Sequence, residues 1–157
     1  MNILIIDDNQ QITLLLSKIL ITKGHDVISS NLFEDGLEKL REENFDVILI
    51  DAPMPGYAKL NVINEFEKMG ILKSQKIILF TGLEISNSIV MELKMKGLYS
   101  YLKKPLDVEK LIQALSSVPL TQNTELTEKR ISEELTKKKF EDLRSNLSSL
   151  KLKLSPT

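Results

Sequence analysis

Five side chains in this sequence have types and positions suited to joint chemistry: the adjacent carboxylates Asp7 and Asp8, the carboxylate Asp51, the hydroxyl of Thr81 and the ammonium of Lys104. Three carboxylates brought to one place repel one another unless a hard cation joins them. An all-oxygen donor set with an incomplete shell suits Mg²⁺, which keeps several waters and takes a phosphate oxygen as a ligand. One carboxylate then stands ready to attack phosphorus in line with a leaving group. Taken singly, each residue has a plainer explanation. Acidic residues after strands are often helix N-caps, and Asp8 or Asn9 would serve the first helix in that way. A threonine after a strand is commonplace, and a lysine before a proline is usually solvated. What decides between the two readings is whether the fold brings the five together.

The elements needed for that are legible as short apolar runs alternating with helical patterns. Ile3 to Ile6 is apolar on both faces, as strands of a buried parallel sheet are. Asn9 to Lys23 carries an apolar stripe at Ile12, Leu15, Leu16, Ile19 and Leu20, closed by Gly24. Asp26 to Ser29 reads as a weaker strand, and Leu32 to Glu43 as a helix buried through Phe33, Leu37 and Leu40. Asp46 to Ile50 is a strand ending at Asp51. After a loop containing Pro53, Pro55 and Gly56, a helix is expected over Lys59 to Met69, then a strand from Lys76 to Phe80 ending at Thr81-Gly82. A helix over Ser86 to Lys96 with Ser86 as N-cap, a strand from Tyr99 to Leu102, and a helix capped by Asp107 complete the series. The inner face of that last helix is expected to be Val108, Leu111, Ile112 and Leu115.

Five β-α units in a row specify an α/β fold: a doubly wound, five-stranded parallel sheet with helices on both faces. Ligands of such sheets bind beyond the carboxyl ends of the strands. Asp7 and Asp8 follow the first strand, Asp51 the third, Thr81 the fourth and Lys104 the fifth, so all five converge on one edge.

Composition removes several alternatives. The chain has 157 residues, room for one ordinary domain and an appendage. It contains no cysteine, which excludes disulfides, cysteine zinc sites and thiol catalysis. The lone His25 sits in a Gly-His-Asp turn and reads as a partly exposed turn residue. A net charge of −1 gives no general attraction to nucleic acid or anionic lipid, so neither is expected as a partner. No segment approaches the roughly 18 apolar residues of a membrane span. The apolar start lacks a basic leader and runs into two aspartates, so it is expected to be a strand and not a signal peptide, and the protein to be cytoplasmic.

The motifs Ile5-Ile6-Asp7-Asp8, Ile50-Asp51 with Met54-Pro55-Gly56, Phe80-Thr81-Gly82 and Tyr101-Leu102-Lys103-Lys104-Pro105 together resemble the receiver domains of two-component response regulators, over residues 1–118. The resemblance implies a flavodoxin-like or CheY-like fold and a phosphorelay in which Asp51 accepts a phosphoryl group from a histidine kinase or phosphotransfer protein. It implies Mg²⁺ held directly by Asp8, Asp51 and the backbone carbonyl of Pro53, with Asp7 acting through a water. Lys104 would pair with the phosphoryl oxygens, Lys103 being its solvated neighbour, and the Lys104-Pro105 bond would be cis, fixing the lysine's direction. Thr81 would move its hydroxyl onto the phosphoryl group, Tyr101 would rotate inward behind it, and Gly82 would leave room for the phosphate. An aspartyl phosphate adds charge and acceptors that favour this rearranged state.

Two departures from the family pattern matter. Receivers that dimerise through the fourth helix and fifth strand often carry an acidic pair just before the switch tyrosine, whereas Tyr99 and Ser100 stand here. Pro53 and Leu83, two residues beyond Asp51 and Thr81, cannot orient a hydrolytic water by side-chain hydrogen bonding.

Residues 119–157 are expected to be a linker followed by an amphipathic helix. They open with Pro119 and a polar Thr-Gln-Asn-Thr run. Phe140, Leu143, Leu147, Leu150 and Leu154 then follow a 3-4-3-4 spacing, a coiled-coil seam of two heptads. A helix-turn-helix output usually needs about sixty residues or more and a turn glycine, and this segment has no glycine. Lys137-Lys138-Lys139 interleaved with glutamates reads as a solvated face rather than a membrane or nucleic-acid reader. The remaining options are homodimerisation, docking on the receiver, or presenting the apolar stripe to a protein target. Among function classes, a phosphoacceptor switch acting through protein contacts comes first, and a degenerate receiver serving as a scaffold or dimerisation module second. A dehalogenase-type phosphatase needs a second acid where Pro53 stands, so turnover enzymology is not expected.

The apolar pair at positions 53 and 83 carries a measurable consequence. The aspartyl phosphate is expected to decay in Mg²⁺ buffer far more slowly than in seconds, and P53N/L83N is expected to decay faster. Equal rates for the two proteins would show that these positions do not govern the lifetime.

Overall fold

The computed structural model describes residues 1–119; residues 120–157, with the seam Phe140 to Leu154 and the homodimer expected from it, lie outside the described part. The elements follow in the order β1 (Asn2–Ile6), α1 (Gln10–Thr22), β2 (Asp26–Ser30), α2 (Phe33–Glu42), β3 (Val47–Ile50), α3 (Asn61–Lys68), α4 (Ile71–Ser74), β4 (Ile77–Thr81), α5 (Asn87–Lys96), β5 (Ser100–Lys103) and α6 (Val108–Ser116). The five strands form one parallel sheet in the order β2-β1-β3-β4-β5. This is the doubly wound α/β architecture that the alternating runs predict.

Alternation along the strands explains why the three central ones are apolar from Ile3 to Ile6, Val47 to Ile50 and Ile77 to Phe80. Leu4, Ile6, Ile48, Ile50, Ile77 and Leu79 point to one face, where they meet Phe33 of α2, Ile63 and Phe66 of α3, Leu72 of α4 and Leu93 of α5. Ile3, Ile5, Val47, Leu49, Ile78 and Phe80 point to the other, against Leu16 and Leu20 of α1 and Leu111 and Leu115 of α6. A strand covered on both faces has no position left for a polar side chain until it ends. The first polar side chains therefore come at the carboxyl edge.

Several expected details differ. Leu15, expected on the buried stripe of α1, is 50% exposed; the buried row is Thr13, Leu16 and Leu20, and Leu15 lies one step of about 100° away from it. Val108 begins α6 on the exposed side, leaving Leu111 and Leu115, with Ile112 partly buried beside them, to make the contact. The helix expected from Lys59 starts at Asn61, because Lys59 has a left-handed φ of 47° that no helix continues through. The four-residue α4 is too short to show a period in the sequence. β4 extends one residue further than expected, so Thr81 ends the strand itself and does not follow it.

Gly97 ends α5 at φ 120°, and a Cβ there would press on the backbone carbonyl of Leu72 in α4. Gly24 also has a positive φ, 84°, but open space around it. Gly24→Ala is therefore expected to cost about 1 kcal/mol from φ alone, and Gly97→Ala clearly more, because backbone must also move. Chemical denaturation of the two variants checks the order.

Candidate functional site

The sheet's register assembles the site. Ile6 pairs with Ile50 across β1 and β3, so Asp7 and Asp51 leave the sheet side by side, with the Asp51 N–H donating to the Ile6 carbonyl at 2.9 Å. Thr81 pairs with Lys103 across β4 and β5, and the Lys104 N–H donates to the Thr81 carbonyl at 2.8 Å. Residues 97 positions apart are thus neighbours because four strands end at one level.

Lys104 occupies the centre. Its Nζ lies 2.6 Å from Asp7 Oδ2 and 2.6 Å from Asp51 Oδ2, two charge-assisted hydrogen bonds at the short end of their range. Asp7 is 1% exposed and Asp51 9%. Asp7 Oδ1 accepts from the Asn9 N–H at 2.9 Å, and Asp51 Oδ1 from the Ala52 N–H at 2.6 Å. Burial pushes the Asp7 carboxyl above its ordinary range, the hydrogen bonds from Lys104 and Asn9 offsetting only part of that. Burial pulls Lys104 down, but its hydrogen bonds to Asp51 and Asp7 outweigh this and hold the ammonium above its usual range. Lys104 and Pro105 are joined by a cis peptide, as are Ala52 and Pro53.

Asp8 is placed differently. The first helix is capped by Asn9, whose side chain accepts from the Gln11 and Ile12 N–H groups at 3.0 and 3.3 Å. The plain explanation of Asp8 as a helix cap is thereby removed. Asp8 is exposed, and ligand atoms of Asp7, Asp8 and Asp51 lie within 4.8 Å of one another. An all-oxygen trio of this kind suits a hard cation such as Mg²⁺.

The remaining expected residues stand nearby in definite arrangements. Thr81 is fully buried; its hydroxyl donates to the Ala52 carbonyl and accepts from the Leu83 N–H at 3.1 Å. Tyr101 is half-buried against the core layer that contains Leu93 of α5, and its hydroxyl donates to the Leu83 carbonyl at 3.3 Å. Lys103 is exposed and pairs with Glu84 at 2.9 Å, in keeping with its reading as the solvated neighbour. Pro53 is exposed, two residues past Asp51. A Cβ on Gly82 would meet nothing within 4 Å, so protein packing does not require glycine there.

The sequence motifs do not include Asn31, which follows β2 and donates from Nδ2 to the Asp7 carbonyl at 2.7 Å. A signal for it exists: β2 is the one strand with no motif residue at its carboxyl end.

Comparison with known proteins gives a consistent set of likenesses. A family model described as the response regulator receiver domain matches residues 3–116. Protein PilH of Pseudomonas aeruginosa is 30% identical over 116 residues, covering 74% of this chain and 95% of that protein. The sensory/regulatory protein RpfC of Xanthomonas campestris is 24% identical over 124 residues, 77% of this chain, and the match spans 17% of that protein's length. Among solved structures, chemotaxis protein CheY4 of Vibrio cholerae has a TM-score of 0.65 at 27% identity, covering 75% of this chain and 98% of its own. Response regulator TrrA of Thermotoga maritima, in complex with Mg²⁺-BeF, has a TM-score of 0.62 at 27% identity with the same two coverages.

The Thr81 hydroxyl serves two backbone groups at once, which sets its contribution to stability. Thr81→Val keeps the shape but leaves the Ala52 carbonyl and the Leu83 N–H without that partner, and is expected to cost roughly 1–3 kcal/mol. Thr81→Ser keeps both bonds and is expected to lose clearly less. Equal losses in urea denaturation would mean the hydroxyl is not what holds the loop.

Proposed function

This chain belongs to the response regulator receiver domain family, and on that premise we propose that Asp51 is its phosphoacceptor. Receiver domains take part in two-component signalling, interact with histidine kinases or phosphotransfer proteins, and bind Mg²⁺ at an aspartate cluster. The observation that carries the assignment is the convergence of Asp7, Asp8 and Asp51 within 4.8 Å, with Lys104 at 2.6 Å from both Asp7 and Asp51.

The donor set fits Mg²⁺: three carboxylates, one of them exposed, at the open carboxyl edge of the sheet. Asp8, Asp51 and the Pro53 carbonyl would hold the ion, and Asp7 would act through a water. When bound, Mg²⁺ supplies charge neutralisation at the phosphoryl oxygens. A carboxylate oxygen of Asp51 forms the new bond to phosphorus as the bond from phosphorus to the donor histidine nitrogen breaks. The nitrogen keeps the electron pair. Lys104 then exchanges its bond to Asp51 for one to a phosphoryl oxygen, and Thr81 turns its hydroxyl to another. Open space at Gly82 leaves the approach clear. Leu83 links Thr81 to Tyr101, so the change at Thr81 reaches the surface beside α5 and β5.

The product is a modified Asp51, which makes the chain a signalling switch and not a turnover enzyme. We place it in the cytoplasm, with output through a downstream protein target and not through nucleic acid. We assign residues 1–118 to the receiver and propose that 119–157, whose sequence pattern is that of a linker and amphipathic helix, serve that output or a homodimer.

Intact mass after incubation with acetyl phosphate and Mg²⁺ tests the assignment. The full chain is expected to gain about 80 Da, the mass of one phosphoryl group, and Asp51→Asn to gain none. No gain in the wild type would leave the phosphorylation-independent scaffold as the function.

A further inference from the structure

We propose that Asn31 is a positioning residue for Mg²⁺ binding: it fixes the Asp7–Asp8 peptide and thereby aims the Asp8 carboxylate. The inference rests on the phosphoacceptor reading and adds to it a residue outside the matching motifs.

The two carboxylates that open the site are held in unlike ways. Asp7 is anchored through its side chain, by Lys104 on one oxygen and by the Asn9 N–H on the other. Asp8 is exposed, and no hydrogen bond or ion pair of its side chain occurs among the described residues. Its direction is therefore inherited from its backbone. That backbone begins with the Asp7–Asp8 peptide, whose carbonyl oxygen accepts from Asn31 Nδ2 at 2.7 Å. The same Nδ2 lies 3.3 Å from Thr13 Oγ1, on the buried row of α1. A carbonyl only accepts, so the atom facing it must be the amide nitrogen, which settles the orientation of the Asn31 side chain.

The turn that carries Asn31 is itself fixed. The Ser30 carbonyl accepts from the Asp7 N–H at 3.1 Å, so Asp7 is clamped by this turn at both its N–H and its carbonyl. Ser30 is 3% exposed, and its hydroxyl lies 2.5 Å from Asp35 Oδ2 and 2.7 Å from the Leu32 carbonyl, tying the turn to the start of α2. Asn31 is thus a rigid donor aimed at the one peptide whose plane sets Asp8. Groups that orient metal ligands typically change metal affinity by about 10–100-fold when removed. Because Asp7 keeps its own two anchors, loss of Asn31 weakens the binding of Mg²⁺ without abolishing the site.

The test is a titration of the full chain with Mg²⁺ alone, read as the rise in thermal unfolding midpoint. Asn31→Leu keeps the side chain's size and removes the donor. Ser30→Ala loosens the same turn without touching the Asn31–Asp7 bond. Asn31→Leu is expected to need about tenfold more Mg²⁺ for half its full effect, and to phosphorylate from acetyl phosphate at the wild-type rate once Mg²⁺ is saturating. Ser30→Ala, which keeps the Asn31–Asp7 bond but loosens its support, is expected to lower the midpoint and to raise the Mg²⁺ requirement clearly less than Asn31→Leu does. Asn31→Ala replaces the leucine variant if that chain does not fold. An unchanged Mg²⁺ requirement in the Asn31 variants overturns the positioning role, as does an equal shift in Ser30→Ala, which would mark a general loosening. A wild-type chain that ignores Mg²⁺ and gains no phosphoryl mass overturns the phosphoacceptor reading and this inference with it.

Discussion

Two buried carboxylates facing one another at the end of a parallel sheet are tolerable only because an ammonium lies between them. Lys104 bridges Asp7 and Asp51 at 2.6 Å each, and the rest of the fold can be understood as the means of holding that geometry. Removing one member of a buried ionic cluster leaves a charge without compensation, a loss far larger than that of a surface pair. The upward displacement of both Asp7 and Lys104 from their ordinary pKa ranges reflects this tension: Asp7 is short of stabilisation by its surroundings, and Lys104 is held charged by two partners. On the function proposed above, an added cation or a phosphoryl group would each alter this same balance.

The scaffold and the site are connected through register. Ile6 opposite Ile50, and Thr81 opposite Lys103, convert four separate strand ends into one surface. A slip of one residue in either pairing would turn the strand's apolar side chains to the wrong layer, so the packing of Phe66, Leu72 and Leu93 on one face and Leu16 and Leu111 on the other also protects the alignment of the site. Core and chemistry are thus specified by the same contacts.

Much of this is legible in the order of the amino acids. Strands buried on both faces announce themselves by unbroken apolar runs, and those runs end at Asp7, Asp51 and Thr81. Caps at Ser86 and Asp107 are readable from residue type. What is not legible is set by neighbours and not by pattern. Leu15 and Val108 are apolar residues at helical spacing, yet which side of α1 or α6 is covered depends on the sheet beneath. Lys59 takes a left-handed conformation without being glycine, and nothing in its identity indicates that. Asn31 resembles any turn asparagine until the carbonyl of Asp7 is found opposite its amide.

The Thr81 hydroxyl has a further consequence that follows from valence. A hydroxyl carries one proton, and here that proton is committed to the carbonyl of Ala52, the residue immediately after Asp51. On the phosphoacceptor reading proposed above, Thr81 would give it to a phosphoryl oxygen by withdrawing it from Ala52. The Ala52 carbonyl would then lose this partner, so the cost of turning Thr81 falls on the peptide next to Asp51.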